Sequence, residues 1–369
     1  MPGYRTIRVA APEAPVAALA DAGAWRARDD YPQLRLGGPV FGVAREREHG
    51  GWELYPYFGV LAPQDARDSM GSHFRRLAQA AGQSGDRAGY EQCLRAAERM
   101  DQEVIDEMTV AGTRYRVVRA GQFIRMGPSG PEPPRPTDPD LGEPGQAEEV
   151  RDPAAGFVID PGTATGMSEA IVKLELLGAV YAEGTVPAQV RDDLLRAART
   201  HPGGVLLPAA FTTAELVSGH WKPAQAGTSA TPQGARDRLA LYLRVMAPWE
   251  LGLDPRERAV YAAAASRIEE ERGSDLSVAG RRFRVVRVER LVRIGPDGPE
   301  GPRPSDPDPQ PPVMVQTQQL REQGILTGED QDKDTPAVLD EDARRLVQLF
   351  REEEERRKAL GNATDRHDS

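Results

Sequence analysis

Residues 109–140, TVAGTRYRVVRAGQFIRMGPSGPEPPRPTDPD, recur at 277–308 as SVAGRRFRVVRVERLVRIGPDGPEGPRPSDPD, with no gap and 20 of 32 positions identical. Two stretches that alike must fold alike, so the chain is read as a tandem arrangement before any chemistry is considered. The match extends backwards. Pro63-Gln64-Asp65-Ala66-Arg67-Asp68 aligns with Pro232-Gln233-Gly234-Ala235-Arg236-Asp237, and Trp52 falls on Trp221. Each unit is then about the size of a small domain, too long for a solenoid repeat.

Within a unit the pattern reads strand, strand, helix, helix, strand, strand. PVFGVARERE and GWELYPYFG flank His49-Gly50-Gly51, the signature of a hairpin. Helical periodicity covers 63–82 and 86–107, with Asp86 as N-cap. In the second unit it covers 232–247 and 254–273, with Asp254 as cap and Pro255 at the first helical position. In the repeated strands the apolar positions change parity after Val117 and Val285, which predicts a β-bulge or a bend there. Each strand ends in Gly-Pro-x-Gly-Pro, read as a turn with a stiff exit, or alternatively as a PxxP ligand for an aromatic groove.

The fold class expected is α+β: an internal duplication of a ββααββ unit forming a pseudo-dimer, with a helical insertion and a C-terminal helix. The divisions are 1–136 for the first unit, 137–160 for a Pro/Gly/acidic linker, of which 137–155 has almost nothing to bury, and 161–312 for the second unit, opened by helices within 164–200. A tail follows over 313–369, with a helix at about 337–360.

A net charge of −10 argues against a general nucleic-acid or anionic-membrane binder. Cys93 is the only cysteine, which excludes intrachain disulfides and cysteine zinc sites. The five histidines show no metal-ligand spacing, and no stretch is apolar enough to span a bilayer. The expectation is a cytoplasmic protein with no metal or cofactor. Asp160–Gly166 opens a helix whose amides would suit an anion, but it lacks a P-loop lysine, so a capped linker explains it better. Gly166-Met167-Ser168-Glu169-Ala170 faintly echoes a nucleophile elbow without its last glycine.

What both copies share beyond core and turn residues is arginine. Residues 108–136 and 276–303 each carry a net charge of +4. The candidate binding surface is therefore Arg116, Arg119, Arg125 and Arg135 with Arg284, Arg287, Arg293 and Arg303, flanked by Trp52 and Trp221. Its competing reading is arginines that pair with neighbouring acidic groups inside the fold. No catalytic constellation is present. The leading function is a non-enzymatic interaction or regulatory protein, whose partner is an acidic protein or a small anion. An unfamiliar enzyme with its site in the inter-repeat cleft and a small-anion or phosphometabolite sensor are the alternatives. Oligomeric state is left open.

Ala235-Arg236-Asp237 through Trp249, followed by Val278 through Pro312, resembles a family of actinomycete proteins, chiefly streptomycete, that is defined by a domain of unknown function. The resemblance covers most of the chain and implies a GC-rich bacterial, cytoplasmic origin. It implies no activity, cofactor or site residue.

Overall fold

The structure is a computed structural model that describes residues 1–12, 14–56, 58–146, 152–324 and 341–364. Its chain starts with a helix that the sequence pattern did not announce, α1 (Pro15–Asp30). This helix is alanine-rich and buries only Ala27 fully, so it lacks the apolar stripe that marks an amphipathic helix. The first unit then runs β1 (Gln33–Glu46), β2 (Trp52–Leu54), α2 (Pro63–Ser84), α3 (Arg87–Gln102), β3 (Glu107–Val110), β4 (Thr113–Gly127) and β5 (Gly130–Pro131). After β6 (Val158–Ile159) come α4 (Met167–Gly178) and α5 (Ala188–Thr200).

The second unit follows the order of the first. It comprises β7 (Gly203–Val217), β8 (His220–Pro223), α6 (Pro232–Leu241), α7 (Ala247–Glu250), α8 (Pro255–Glu270), β9 (Asp275–Val278), β10 (Arg281–Gly295) and β11 (Gly298–Pro299). A π-helical turn at Tyr242–Met246 joins α6 to α7. Last come α9 (Val313–Glu322) and α10 (Glu341–Thr364); the expected start of that last helix, 337–340, lies outside the described residues.

The caps work as the sequence indicates. Asp86 accepts from the Gly89 amide, and Asp254 forms a capping box with Glu257. Asp254→Ala is expected to cost about 1 kcal/mol, since it frees the Arg256 and Glu257 amides together. An unchanged denaturation midpoint would show that water replaces the cap at no cost.

All the strands join one mixed-length sheet, with the backbone path β6-β2-β1-β4-β10-β7-β8 and the short strands beside β4 and β10. β4 and β10 pair antiparallel through only four residues each, with Gln122 opposite Arg290, two positions that correspond in the repeat. Beyond this short seam the two strands diverge, and the Gly-Pro segments fill the gaps. β4 turns back through Pro128-Ser129 into β5, and the Glu132 amide then donates to the Arg125 carbonyl. The Glu132 carbonyl accepts from the Arg287 amide of β10, so this residue bridges the two strands. Glu300 does the same between Arg293 and Arg119. The prolines are accommodated because the residue between them supplies the only amide the gap requires.

The expected bulge sits elsewhere. β4 keeps its register against β1 without a break across Val117 and Val118. The parity change arises because both sheet faces are covered. Tyr115 and Val117 pack with Met70, Phe74 and Met100 under α2 and α3, while Val118 and Ala120 pack with Trp52, Phe58 and Ile159 on the other side. The irregularities lie on the partner strands, between Leu36 and Pro39 of β1 and at Leu207–Ala210 of β7, opposite the seam.

Within 137–155, expected to bury almost nothing, Ala154 is fully buried; just beyond it Ile159 is buried too, and β6 adds a strand to β2. The corresponding edge strand β8 ends in Lys222 and Pro223, and a proline there removes the amide that Leu54 of β2 donates to Phe157. Among the described residues no helix is long and apolar enough to cross a membrane.

Candidate functional site

Most of the arginines shared by the two units turn inward: Arg116 and Arg284 reach the turn of the other unit, Arg119, Arg287, Arg135 and Arg303 reach the Gly-Pro exit segments, and Arg125 and Arg293 reach α4. Arg116 donates from Nη1 to the carbonyls of Asp297 and Pro299, at 3.1 and 3.0 Å, while its Nε reaches Glu107 and its guanidinium stacks over Trp52. Arg284 donates to Ser129 and Pro131 carbonyls at 3.0 and 3.2 Å, pairs with Asp275 and stacks over Trp221. Each arginine thus grips the Gly-Pro turn of the opposite unit, and each tryptophan packs on the glycine of that turn, Trp52 on Gly298 and Trp221 on Gly130.

Arg119 holds Asp306 at 2.9–3.1 Å, as Arg287 holds Asp138 at 3.0 Å. Arg135 pairs with Glu132 and Arg303 with Glu300. Arg293 donates to the Leu177 carbonyl, and burial lowers its pKa; Arg125 reaches only Glu175, at 3.5 Å. Arg67 and Arg236 clasp Asp308 and Asp140 in the same crossed fashion.

The arginine-bearing surface of the sequence reading is therefore corrected to a set of buried, internally paired groups. The physical reason is charge balance. The two +4 stretches end just short of Asp138 and Asp140, and of Asp306 and Asp308, which fold back over the strands and neutralise them.

Two of these arginines nevertheless line an open space. A cavity of about 640 Å³ lies between α1, the opening of α4 and the irregular part of β7. Its wall from α1 is small and apolar, Ala17, Ala20 and Ala24, with Phe157 and Leu207 adding to it. Arg135, Arg287 and Glu289 form a charged floor, and Lys173 stands beside them with its ammonium 3.1 Å from Glu169. Burial pushes the Glu289 carboxyl up, but Arg287 and Arg135 more than reverse this and hold it below the usual carboxylate range.

The corresponding place in the other unit is nearly filled. Arg119, Arg303 and Gly121 there match Arg287, Arg135 and Glu289, and the gap of about 40 Å³ is closed by Leu176, Tyr181 and Leu194 from the α4–α5 segment. One of two matching sites has thus been packed shut while the other stays open.

Sequence reading missed the walls of this cavity, because α1 and α4 lie outside the repeat. One signal was available: Lys173 is one of four lysines and falls on the apolar face of a helix, where an ammonium is out of place. The Asp160–Gly166 turn does open α4, but a carboxylate of α1 already sits at the start of that helix. The Ser168 amide donates to Asp21 of α1 at 3.0 Å, and the Ser168 hydroxyl donates to the Asp21 carbonyl. Ser168 is buried in that bond and is not presented as a nucleophile. Among the described residues no group of three or more His, Cys, Asp or Glu is placed to hold a metal ion.

Neither a curated protein nor a solved structure matches the chain. A family model does match, over residues 14–309, a span that holds both units, α4, α5 and most of the cavity wall. The chain belongs to that family, a family of unknown function (DUF5954).

Proposed function

We propose that the protein is a small-molecule-binding regulatory protein, built as an internally duplicated pseudo-dimer, whose ligand occupies the cavity between α1, α4 and β7. The duplication reading is supported by the crossed contacts: Arg116 and Trp52 of one unit meet the Gly-Pro turn of the other, as Arg284 and Trp221 do in return. The observation that carries the binding reading is the unequal fate of the two matching sites. Protein interiors close apolar space to crystal-like density, and the α4–α5 segment does this on one side only. The open site then has the character of a ligand pocket, with apolar walls and a few converging charged groups. Its alanine wall fits a flat apolar body, and Lys173 with the Arg287–Glu289 floor fits a polar end. A cytoplasmic setting accords with the single, buried cysteine.

A thermal-shift screen of metabolites tests this. A ligand at a hundred times its Kd should add about 2.7 kcal/mol of stability, and Ala20→Phe, which fills the cavity, should abolish the shift while leaving the unliganded protein folded. An equal shift in Ala20→Phe would place the ligand elsewhere. Partner docking is the second reading, carried by the exposed apolar strip of Val9, Met167 and Leu174, at 47, 50 and 62 % exposure.

A further inference from the structure

The two units also serve as controls for one another away from that cavity. Under α2 of the first unit is a pocket of about 210 Å³, lined among others by Tyr55, Asp68, Ser72, His73 and Arg76. The second unit has Leu241, Tyr242 and Val245 where the first has Ser72, His73 and Arg76. There Tyr242 accepts from Arg281 at 2.9 Å, and α10 covers the place through Arg244–Glu353 and an Arg357 bond to the Asp237 carbonyl. Groups that pack and pair in one unit are replaced in the other by polar groups around open space.

Those polar groups are under-used. Arg76 is exposed at the pocket mouth, with no ion pair or hydrogen bond among the described residues, and the Nε2 of His73 is buried without a partner. The His73 ring lies 4.2 Å from the Tyr55 ring and 5.7 Å from that of Tyr115. Burial, then the charges of Arg76 and Arg45, push its pKa down to about 4, so the ring is neutral at physiological pH and stands in a positive field. Asp68, bonded by Gln64 at 2.8 Å, supplies an acceptor on the same wall. Its carboxyl is raised above the usual range chiefly by burial.

We propose that this pocket binds a small oxyanion that also carries a hydroxyl, with the anionic end on Arg76 and Ser72 and the hydroxyl donating to Asp68. A guanidinium without a carboxylate partner suits the first group, and a carboxylate held by Gln64 but in no ion pair among the described residues suits the second. Monohydrogen phosphate and a hydroxycarboxylate both offer this pair of groups, and the site is separate from the cavity beside α4.

The test follows the imidazole resonances of the full chain at neutral pH and constant ionic strength during titration with inorganic phosphate and, in a second arm, with glycolate. The expected result is a saturable shift confined to His73 with at least one of them, and none with chloride. The arm that saturates at lower concentration identifies the source. Arg76→Val, which installs the second unit's residue and keeps the His73 reporter, should weaken binding at least tenfold. Because Arg76 lies on the exposed side of α2, the variant should stay folded with a denaturation midpoint close to that of the wild type. No saturable His73 shift in either arm, an equal shift with chloride, or wild-type affinity in folded Arg76→Val would each overturn the proposal. Ala20→Phe should leave this titration unchanged, so that failure here and failure of the cavity reading are told apart.

Discussion

Gly298→Ala should lower the unfolding free energy by about 3–5 kcal/mol, the sum of a glycine-only backbone conformation and an overfilled contact. Gly298 has φ +112°, where L side chains carry strain, and an added Cβ would lie 2.6 Å from Nε1 of Trp52. Trp52 cannot retreat, because it is 5 % exposed, paired to Glu46 on one side and to Ile159 on the other, and stacked under Arg116. The cost therefore falls on the crossed contact itself. Guanidinium denaturation read by tryptophan fluorescence measures it, and a loss below about 1 kcal/mol, the ordinary effect of a point substitution, would mean that the turn swings free. The same substitution at Gly112, where φ is positive but nothing lies nearby, controls for backbone strain alone.

Arg287→Ala should destabilise by about 3–5 kcal/mol at neutral pH, because it strands buried carboxylates rather than merely losing an ion pair. Arg287 holds both Asp138 and Glu289, whose side chains are each 9 % exposed. The sign of the pH dependence follows from Glu289. Its folded pKa lies below the unfolded one, so its stabilising contribution is complete above about pH 4.3 and disappears as pH falls through the lowered value. In the variant, burial acts on Glu289 with less opposition and its pKa rises, so protonation relieves the folded state. The stability gap between wild type and variant should narrow between pH 7 and pH 4. A gap that widens on acidification would show that Glu289 is not the group left stranded.

Local order was legible in the sequence wherever one residue type has one local use. The β1–β2 hairpin, the Asp86 and Asp254 caps and the prolines opening α2, α6 and α8 all rest on such preferences. Pairing across the molecule was not legible. Nothing local says that Arg116 will grip Pro299 rather than a neighbour, or that Asp138 belongs to Arg287 of the other unit. The parity of apolar residues misplaced the bulge for a similar reason: alternation reports which face is buried, and here both are. The cavity stayed hidden because its walls come from α1, the α4 opening, Phe157 and β7, whereas the repeated segments supply only the charged floor of Arg135, Arg287 and Glu289.

The seam between β4 and β10 also selects which strands can meet there. Two identical first units could meet there with glutamine facing glutamine across a symmetry axis, a neutral and hydrogen-bonding match. Two identical second units would bring together two guanidiniums of the Arg290 kind. Arg290 is 2 % exposed, held by the Pro208 carbonyl and the Phe58 ring, and its pKa is already depressed by burial. Like charges confined there repel strongly. Pairing β10 with a second strand of its own kind would therefore be costly at this position, whereas Gln122 opposite Arg290 carries no such repulsion. That single side chain acts as a mating-type mark, favouring β4 over another β10 as the strand that meets it.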